Sequence, residues 1–426
     1  MSVIDKKYAD MFANSAAWYE RGKNAFAGGV THQSRFVAPF PTYYEWADGP
    51  FKYDVDGNEI VDYVMGNGSL LLGHNPKSVM DAINSQMGKG THLGGATTHE
   101  TRYAEAVKRN MPKLDSVRFT SSGTESTLLA MRIARGYTGK DKIIKFYEHF
   151  HGWQDYATID SGQSTGGIPK ATLDQIIVLQ ADIKAVDNVL SQRDDVAGVI
   201  VECNGAHFGT FPLQNPTFLH DLQETCRKHN VMFIMDEVIT GFRLSKGGAQ
   251  ERWGLDPDIT TMAKIMAGGQ PGAAVGGKKH VMDVMAKTGD PIHDSSKRVA
   301  QAGTYNAQPT AAVAGIAHLD DIWNTDVIER ADSAALRLKE GINDAFAKNE
   351  ITGHAHGISS LVQVNMGYDC DCDRNICTMP FNEIYRSMPN DKTGALKRAV
   401  LVNLSLIHIS EPTRPRLISY AVFCLK

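Results

Sequence analysis

The period of apolar and polar positions changes along the chain, and each change marks a different kind of structure. Over Tyr8 to Phe26 apolar residues recur at helical spacing and predict a short amphipathic helix. It is followed by Gly28-Gly29 and the turn-rich Pro39-Phe40-Pro41, so the first forty residues read as an arm. From Tyr43 the pattern becomes that of a β meander, and Tyr53-Asp54-Val55-Asp56-Gly57-Asn58-Glu59 sets an Asp-Gly pair between apolar runs, which predicts a hairpin. Past Gly73-His74-Asn75-Pro76, short apolar runs alternate with helical patterns. The predicted strands are Val117 to Thr120, Lys142 to Tyr147, Val196 to Glu202, Val231 to Met235 and Ile259 to Met262. Helices Glu125 to Tyr137, Ile183 to Gln192 and Pro216 to His229 fill gaps between them. Strands separated by helices pair in parallel through right-handed crossovers, so this region reads as an α/β sheet covered on both faces, with ligands at the carboxyl ends of its strands. Beyond Asn306 a long helical stretch, Pro309 to Asn349, leads into a smaller α+β unit.

Composition narrows the function classes. The chain has 426 residues, 42% hydrophobic and 22% charged, which excludes disordered and fibrous classes and allows two or three structural units. Its 44 basic and 48 acidic residues leave a dispersed formal charge of -4, so no nucleic-acid partner is expected. Charged residues interrupt the N-terminus, and no run of ~18 apolar residues occurs, so neither a signal peptide nor a membrane span is expected. Six cysteines in a chain this long do not make a disulfide scaffold and point to a reducing, cytoplasmic setting. Cys370, Cys372 and Cys377 lie close together and are candidates for zinc or redox chemistry. Their spacing lacks the usual paired motifs, and the expectation is a polar loop with incidental thiols and no metal.

Three segments carry candidate chemistry. Ser121-Ser122-Gly123-Thr124-Glu125-Ser126 sits where a strand passes into a helix, so free amides and the positive helix end converge as an anion site. The same residues also make an ordinary capping box. Met232 to Arg243 reads as a buried strand that ends abruptly in two carboxylates, Asp236 and Glu237, and a Gly-containing turn. Asp236 can cap a helix, bind a metal or pair with a cationic ring nitrogen. Lys264 follows the strand Ile259 to Met262 and precedes Gly268-Gly269. Its amine is a nucleophile if its pKa is depressed and otherwise an ordinary surface cation. The order is what carries meaning, because phosphate turn, aromatic strand end, strand-end Asp and Lys each fall at the end of a successive strand.

In that order the residues resemble the class III aminotransferases among the pyridoxal phosphate enzymes of fold type I, with glutamate-1-semialdehyde aminomutase-like members nearest in pattern. The resemblance spans about Ala27 to Asn403. It rests on Tyr53-Asp54-Val55-Asp56-Gly57, Leu72-Gly73-His74-Asn75-Pro76, the Ser-Gly-Thr-Glu turn, Lys142 to Phe146 with His151-Gly152, Asp236 to Arg243, and Ala302-Gly303-Thr304-Tyr305. The fold it implies is α/β: a large domain over 61–305 with a mainly parallel seven-stranded sheet, an arm and meander over 1–60 belonging to a small domain, and an incomplete C-terminal small domain over 306–403.

The resemblance implies pyridoxal 5'-phosphate as cofactor and amino-group transfer as activity, by a transaminase or an aminomutase. Lys264 resembles the lysine that forms the internal aldimine and shuttles the proton. Asp236 resembles the carboxylate that keeps the pyridine nitrogen protonated. Ser122, Gly123 and Thr124 match the phosphate turn, and Phe150 takes the place of the aromatic, commonly Tyr, that stacks on the ring. Glu202 resembles a supporting acid, followed by Cys203 where the family usually has proline. Thr304 matches the residue that reaches the phosphate from a neighbouring subunit, which implies a homodimer with shared active sites. His149 and His151 flank Phe150 without a further ligand cluster, so metal is not expected there. Arg35, after Gly28 to Ser34, has the place of an arginine that binds the carboxylate of a small amino-acid or oxo-acid substrate. Phe36-Val37-Ala38-Pro39-Phe40-Pro41 looks more like β-amino-acid transaminases of the same group. A catalytically idle binding protein is the remaining alternative, against which the intact Lys264 and Asp236 weigh. A nicotinamide oxidoreductase would want Gly-x-Gly-x-x-Gly after the first strand, which Ser121 to Ser126 does not supply.

The final residues change character. Leu404 to Lys426 resembles translated sequencing adapter, in two segments around three residues, Pro-Arg-Leu. The expectation is a non-native tail replacing the remaining strand and helix of the small domain.

Overall fold

The computed structural model describes residues 3–210, 212–213, 215–367, 370–375, 377, 379, 398–402 and 405–406. Two compact units divide the chain: residues 1–76, 208–211 and 329–426 form one, and 77–207 with 212–328 form the other.

The first unit begins with two helices, Val3–Met11 and Ala13–Ala25, where the pattern predicts one. Phe12 breaks them with φ -117° and ψ 41°, and its side chain packs with Tyr8, Phe40, Ile60, Leu401 and Val402 in a buried cluster. Tyr8 stays in that apolar setting because its hydroxyl donates to the Phe40 carbonyl at 2.8 Å. Strands β1 (Tyr44–Asp48), β2 (Phe51–Asp54) and β3 (Glu59–Asp62) pair antiparallel as the meander. The β2–β3 turn forms as the Asp-Gly pair predicts: the Asp54 carboxylate accepts from the Asp56 and Asn58 amides, and Gly57 takes φ +85°. The turn also holds the arm, since the Asp56 carboxylate accepts from the Asn14 amide at 2.6 Å and from the Ser15 hydroxyl at 2.6 Å.

In the second unit seven strands form one sheet: β4 (Ser116–Thr120), β5 (Lys142–Phe146), β6 (Ile176–Leu179), β7 (Val196–Glu202), β8 (Met232–Asp236), β9 (Ile259–Met262) and β10 (Ala273–Gly277). Their order is β4-β10-β9-β8-β7-β5-β6. The five strands from β9 to β6 run parallel, and β10 runs antiparallel to both neighbours, so the sheet is mixed but mainly parallel. Strands β7 and β8 are buried at every position, as an interior strand covered on both faces must be. The helix Gly123–Thr138 packs Leu129, Met131 and Ile133 into the core formed with Ile143, Ile200 and Ile234.

Strands β6 and β10 lie outside the predicted set. The reason for β10 is steric: it is Ala-Ala-Val-Gly-Gly, and a Cβ on Gly277 would lie 2.4 Å from the Asp258 carbonyl oxygen. A strand pressed that closely has no room for the large apolar residues that announce strands in a sequence.

The predicted helical stretch from Pro309 is two helices, Pro309–Asn324 and Val327–Lys348. In the first unit β11 (Gly353–His356) and β12 (Gln363–Met366) pair antiparallel, and Ala355, Val362 and Val364 pack against Ala334 and Ala335. The expectation for Leu404 to Lys426 falls outside the described residues, save Ser405–Leu406 (β13), which pair in parallel with Val61 and Asp62 of β3. Among the described residues no helix is long and apolar enough to cross a membrane.

Two glycines test this packing with opposite signs. Gly277→Ala should cost about 1–3 kcal/mol through overpacking. Gly341, inside the helix Val327–Lys348 with nothing within 4 Å of an added Cβ, should gain about 0.5–1 kcal/mol as Ala. Shifts of the urea midpoint in opposite directions are expected, and a neutral Gly277→Ala would contradict the register of β10.

Candidate active site

The carboxyl ends of β4, β7, β8 and β9 face one cavity of about 290 Å³, to which the loop after β5 adds a wall. Ser122, Gly123, Thr124, Phe150, Glu202, Asp236 and Lys264 all line it. The structure thus brings together seven of the nine residues singled out from sequence.

One end of the cavity is built by a helix start. Ser122 caps the helix Gly123–Thr138: it has an extended backbone, and its hydroxyl accepts from the Glu125 amide at 3.3 Å. The Glu125 carboxylate reaches back to the Ser121 amide at 2.6 Å. The segment therefore makes a simple cap and not the reciprocal capping box, because Glu125 bonds the amide before the cap residue; the cap uses the Glu125 amide and leaves the Gly123 and Thr124 amides without an acceptor inside the helix. Gly152, at φ +86°, passes against this turn; a Cβ there would sit 2.6 Å from Thr124 Oγ1 and 2.7 Å from Thr124 Cα. Only glycine lets the loop carrying Phe150 lie so close.

Asp236 ends β8 with 6% of its surface exposed. Its Oδ2 accepts from His151 Nδ1 at 2.7 Å, and its Oδ1 accepts from the Thr261 hydroxyl and the Val238 amide, each at 3.0 Å. Burial holds His151 below the ordinary imidazole range against the opposing pull of Asp236, and the nitrogen facing the carboxylate, Nδ1, is the one that carries a proton. His149 does a different job: its Nδ1 accepts from the Glu202 amide at 3.0 Å. Among the described residues neither histidine belongs to a cluster of three or more metal-ligand side chains. Glu237 turns away from the cavity and accepts from the Thr240 hydroxyl and the Ala249 and Gln250 amides, closing the loop that follows β8.

Lys264 follows β9 in a left-handed backbone conformation, φ 53°. Burial lowers its ammonium from the usual lysine range to about 8, although Asp236 and Glu202 both favour the charged form. Glu202 is displaced the other way: burial first, and the charge of Asp236 second, push its carboxyl well above the usual range. Its Oε1 accepts from the Phe150 amide at 2.5 Å, which fixes the aromatic at the cavity wall.

Two predicted residues stand apart. Thr304 is exposed and does not line the cavity, and its carbonyl lies 2.6 Å from His92 Nε2. Arg35 belongs to the first unit, is exposed, and donates from Nη1 to Thr31 Oγ1 at 2.8 Å. Sequence reasoning missed Asn204, which lines the cavity with a buried Nδ2 that has no hydrogen-bond partner among the described residues. It also missed the Asp236 partners His151 and Thr261, and Lys145, held at about 7 by burial while it donates to the Ala157 and Ile159 carbonyls. Polarity inside apolar strands was the available signal for Thr261 and Lys145.

The family model described as aminotransferase class-III matches residues 32–379. The chain is 36% identical over 364 residues to the glutamate-1-semialdehyde 2,1-aminomutase of Methanothrix thermoacetophila, covering 83% of this chain and 82% of that protein. It is 36% identical over 389 residues to the enzyme of the same name from Sulfolobus acidocaldarius, covering 88% and 90%. Among solved structures it resembles an omega-transaminase from Sphaerobacter thermophilus, with TM-score 0.83, 30% identity and coverage of 97% and 92%. It also resembles a β-phenylalanine aminotransferase from Variovorax paradoxus, with TM-score 0.82, 25% identity and coverage of 99% and 93%.

The depressed amine gives a pH test on the cofactor-free protein. With a pKa of about 8, Lys264 should gain a reactive free amine at lower pH than solvent lysines, which titrate near ~10.4. Labelling with a small amine reagent, read by peptide mass, should rise at Lys264 through pH 8 and then level off. Labelling that instead tracks the surface lysines up to pH ~10 would contradict the burial argument.

Proposed function

This chain belongs to the class III aminotransferase family, whose members are pyridoxal phosphate enzymes of amino-group transfer with the fold type I architecture, and on that premise we propose that Lys264 and Asp236 carry its reaction in the cavity just described. The observation that carries the reading is a depressed amine and an oriented carboxylate on the ends of adjacent strands, facing a helix start.

The cavity fits the cofactor's chemistry. The Gly123 and Thr124 amides and the Ser122 hydroxyl would hold the phosphate, Phe150 would cover the ring, and Asp236 would pair with the ring nitrogen. The unpartnered Asn204 Nδ2 offers a further buried donor. When bound, pyridoxal phosphate supplies an aldehyde that captures amino groups and a ring that takes up the electron pair released at the substrate carbon.

The chain's own residues do the rest. His151, Thr261 and the Val238 amide occupy both Asp236 oxygens and leave the carboxylate one orientation. Lys264 Nζ, with a pKa of about 8, both accepts and returns a proton near neutral pH, which general acid–base work requires. Glu202 fixes Phe150 and so sets the depth at which a flat ring can lie.

Family members act on small amino and oxo acids and are commonly dimeric. For this chain we infer a homodimer in which Thr304 serves the partner's phosphate site. Supporting this, Thr304 is exposed beside Tyr305, and Tyr305 and Trp153 of the same unit are 63% and 75% exposed. Arg35 is the proposed carboxylate ligand. The 36% identity to two aminomutases favours aminomutase-like chemistry, and the arm segment Phe36 to Pro41 favours β-amino acids as the second reading, in line with the likeness to the β-phenylalanine enzyme.

Reductive trapping of the cofactor-loaded protein should place the cofactor mass on the Lys264 peptide. Lys264→Ala should lose the visible band and at least about a thousandfold in turnover. A pure, folded protein that shows no visible band with added cofactor would sink the reading. Single-turnover mixing with glutamate semialdehyde, α-amino acids and β-amino acids separates the two substrate readings by which one converts.

A further inference from the structure

In the first unit, away from any residue assigned above, four metal-ligand side chains converge. The ligand atoms of His354, Cys370, Cys372 and Cys377 all lie within 4.8 Å of one another. Cys370 Sγ is 3.4 Å from Cys377 Sγ and 3.6 Å from His354 Nε2. Zinc–sulfur bonds of about 2.3 Å and zinc–nitrogen bonds of about 2.0–2.1 Å set tetrahedral edges of about 3.8 Å between sulfurs and about 3.6 Å between sulfur and nitrogen. We propose that these four residues form a structural zinc site of the Cys3His type.

The sequence shows only three of the donors, in a spacing of Cys-x-Cys-x4-Cys, and on that spacing alone incidental thiols are the expectation. The hairpin supplies the fourth. His354 stands on β11 opposite Asn365 of β12, and the chain after β12 brings the three cysteines back beside it. His354 and Cys377 are both fully buried, and Met379 packs against the cysteines.

The loop is anchored independently of any ion. The Gly357 amide donates to the Arg374 carbonyl at 3.0 Å, and Lys339 Nζ donates to both the Gly357 carbonyl at 3.0 Å and Asn375 Oδ1 at 3.1 Å. Three thiolates and a neutral imidazole around a divalent ion leave one net negative charge. Arg374 meets it, with Nη1 at 3.1 Å from the Cys370 carbonyl and 3.9 Å from Cys372 Sγ. Four protein donors fill a tetrahedral ion's coordination and leave no open position, so the ion's role is to hold the loop to the hairpin, not to act on substrate. A disulfide between Cys370 and Cys377 would account for two sulfurs and leave the convergence of Cys372 and His354 unexplained.

The test uses the full chain purified under reducing conditions without chelators. Elemental analysis should find about one zinc per chain. Replacement by cobalt should give the near-ultraviolet thiolate charge-transfer and intense visible bands of a tetrahedral site. Cys377→Ser and His354→Ala should lose the ion and lower the thermal midpoint, while Cys226→Ser, a buried thiol of the other unit, should retain it. If the first two variants fail to fold, the wild-type metal content and cobalt spectrum still decide. Metal-free wild-type protein that takes up neither zinc nor cobalt, or that carries a Cys370–Cys377 disulfide when isolated anaerobically, would overturn the proposal. Cofactor loading is read separately in the same samples, so failure here is distinguishable from failure of the aminotransferase reading.

Discussion

A carboxylate buried at the end of a parallel strand is the constraint around which the large unit is arranged. Asp236 keeps 6% of its surface, and an uncompensated charge there would cost several kcal/mol. Its partners therefore come from three elements: His151 from the loop after β5, Thr261 from β9, and the Val238 amide from its own turn. That requirement fixes where β9 ends relative to β8, and Lys264 follows two residues after β9. It also draws the Phe150–Gly152 loop over the helix start, where Gly152 alone fits against Thr124. Glu237, the next residue, is equally buried but ties down the loop that follows β8, so two adjacent acids serve different purposes.

The same economy appears in the titratable groups. Lys264 is lowered and Glu202 raised chiefly by burial, and each moves toward its neutral form. The two shifts have one cause, the withdrawal of both side chains from water at the ends of neighbouring strands, and they run in opposite senses because one group is cationic and the other anionic when charged.

Much of this was legible in the sequence because it lay in strand ends. Strands β7 and β9 have the predicted bounds, and Asp236 and Lys264 were readable as polar residues closing apolar runs. What was not legible depended on contacts across long separations. His151 reads as half of a His-Phe-His pattern until β8 is placed beside it, and β10 is too small in its side chains to look like a strand. The arm read as one helix because Phe12 suits a helical period; at the break the Asn14 and Ser15 amides turn to the Asp56 carboxylate, a partner some forty residues away. The nearness of His354 to the cysteine loop could not be read either, because His354 stands 16 residues before Cys370, on a strand whose partner returns the chain to it.

The central claim is that an oriented Asp236 carboxylate gives the cavity its chemistry, and the isosteric change Asp236→Asn tests it most directly. Cofactor-loaded wild type and variant, matched for thermal midpoint, would be mixed with an amino donor in a stopped-flow spectrometer, and conversion of the cofactor from its aldehyde to its amine form followed by absorbance. Conversion by the wild type and a slowing of at least about a hundredfold in the variant are expected. Equal rates in the two proteins, or no conversion by the wild type with any amino donor, would contradict it.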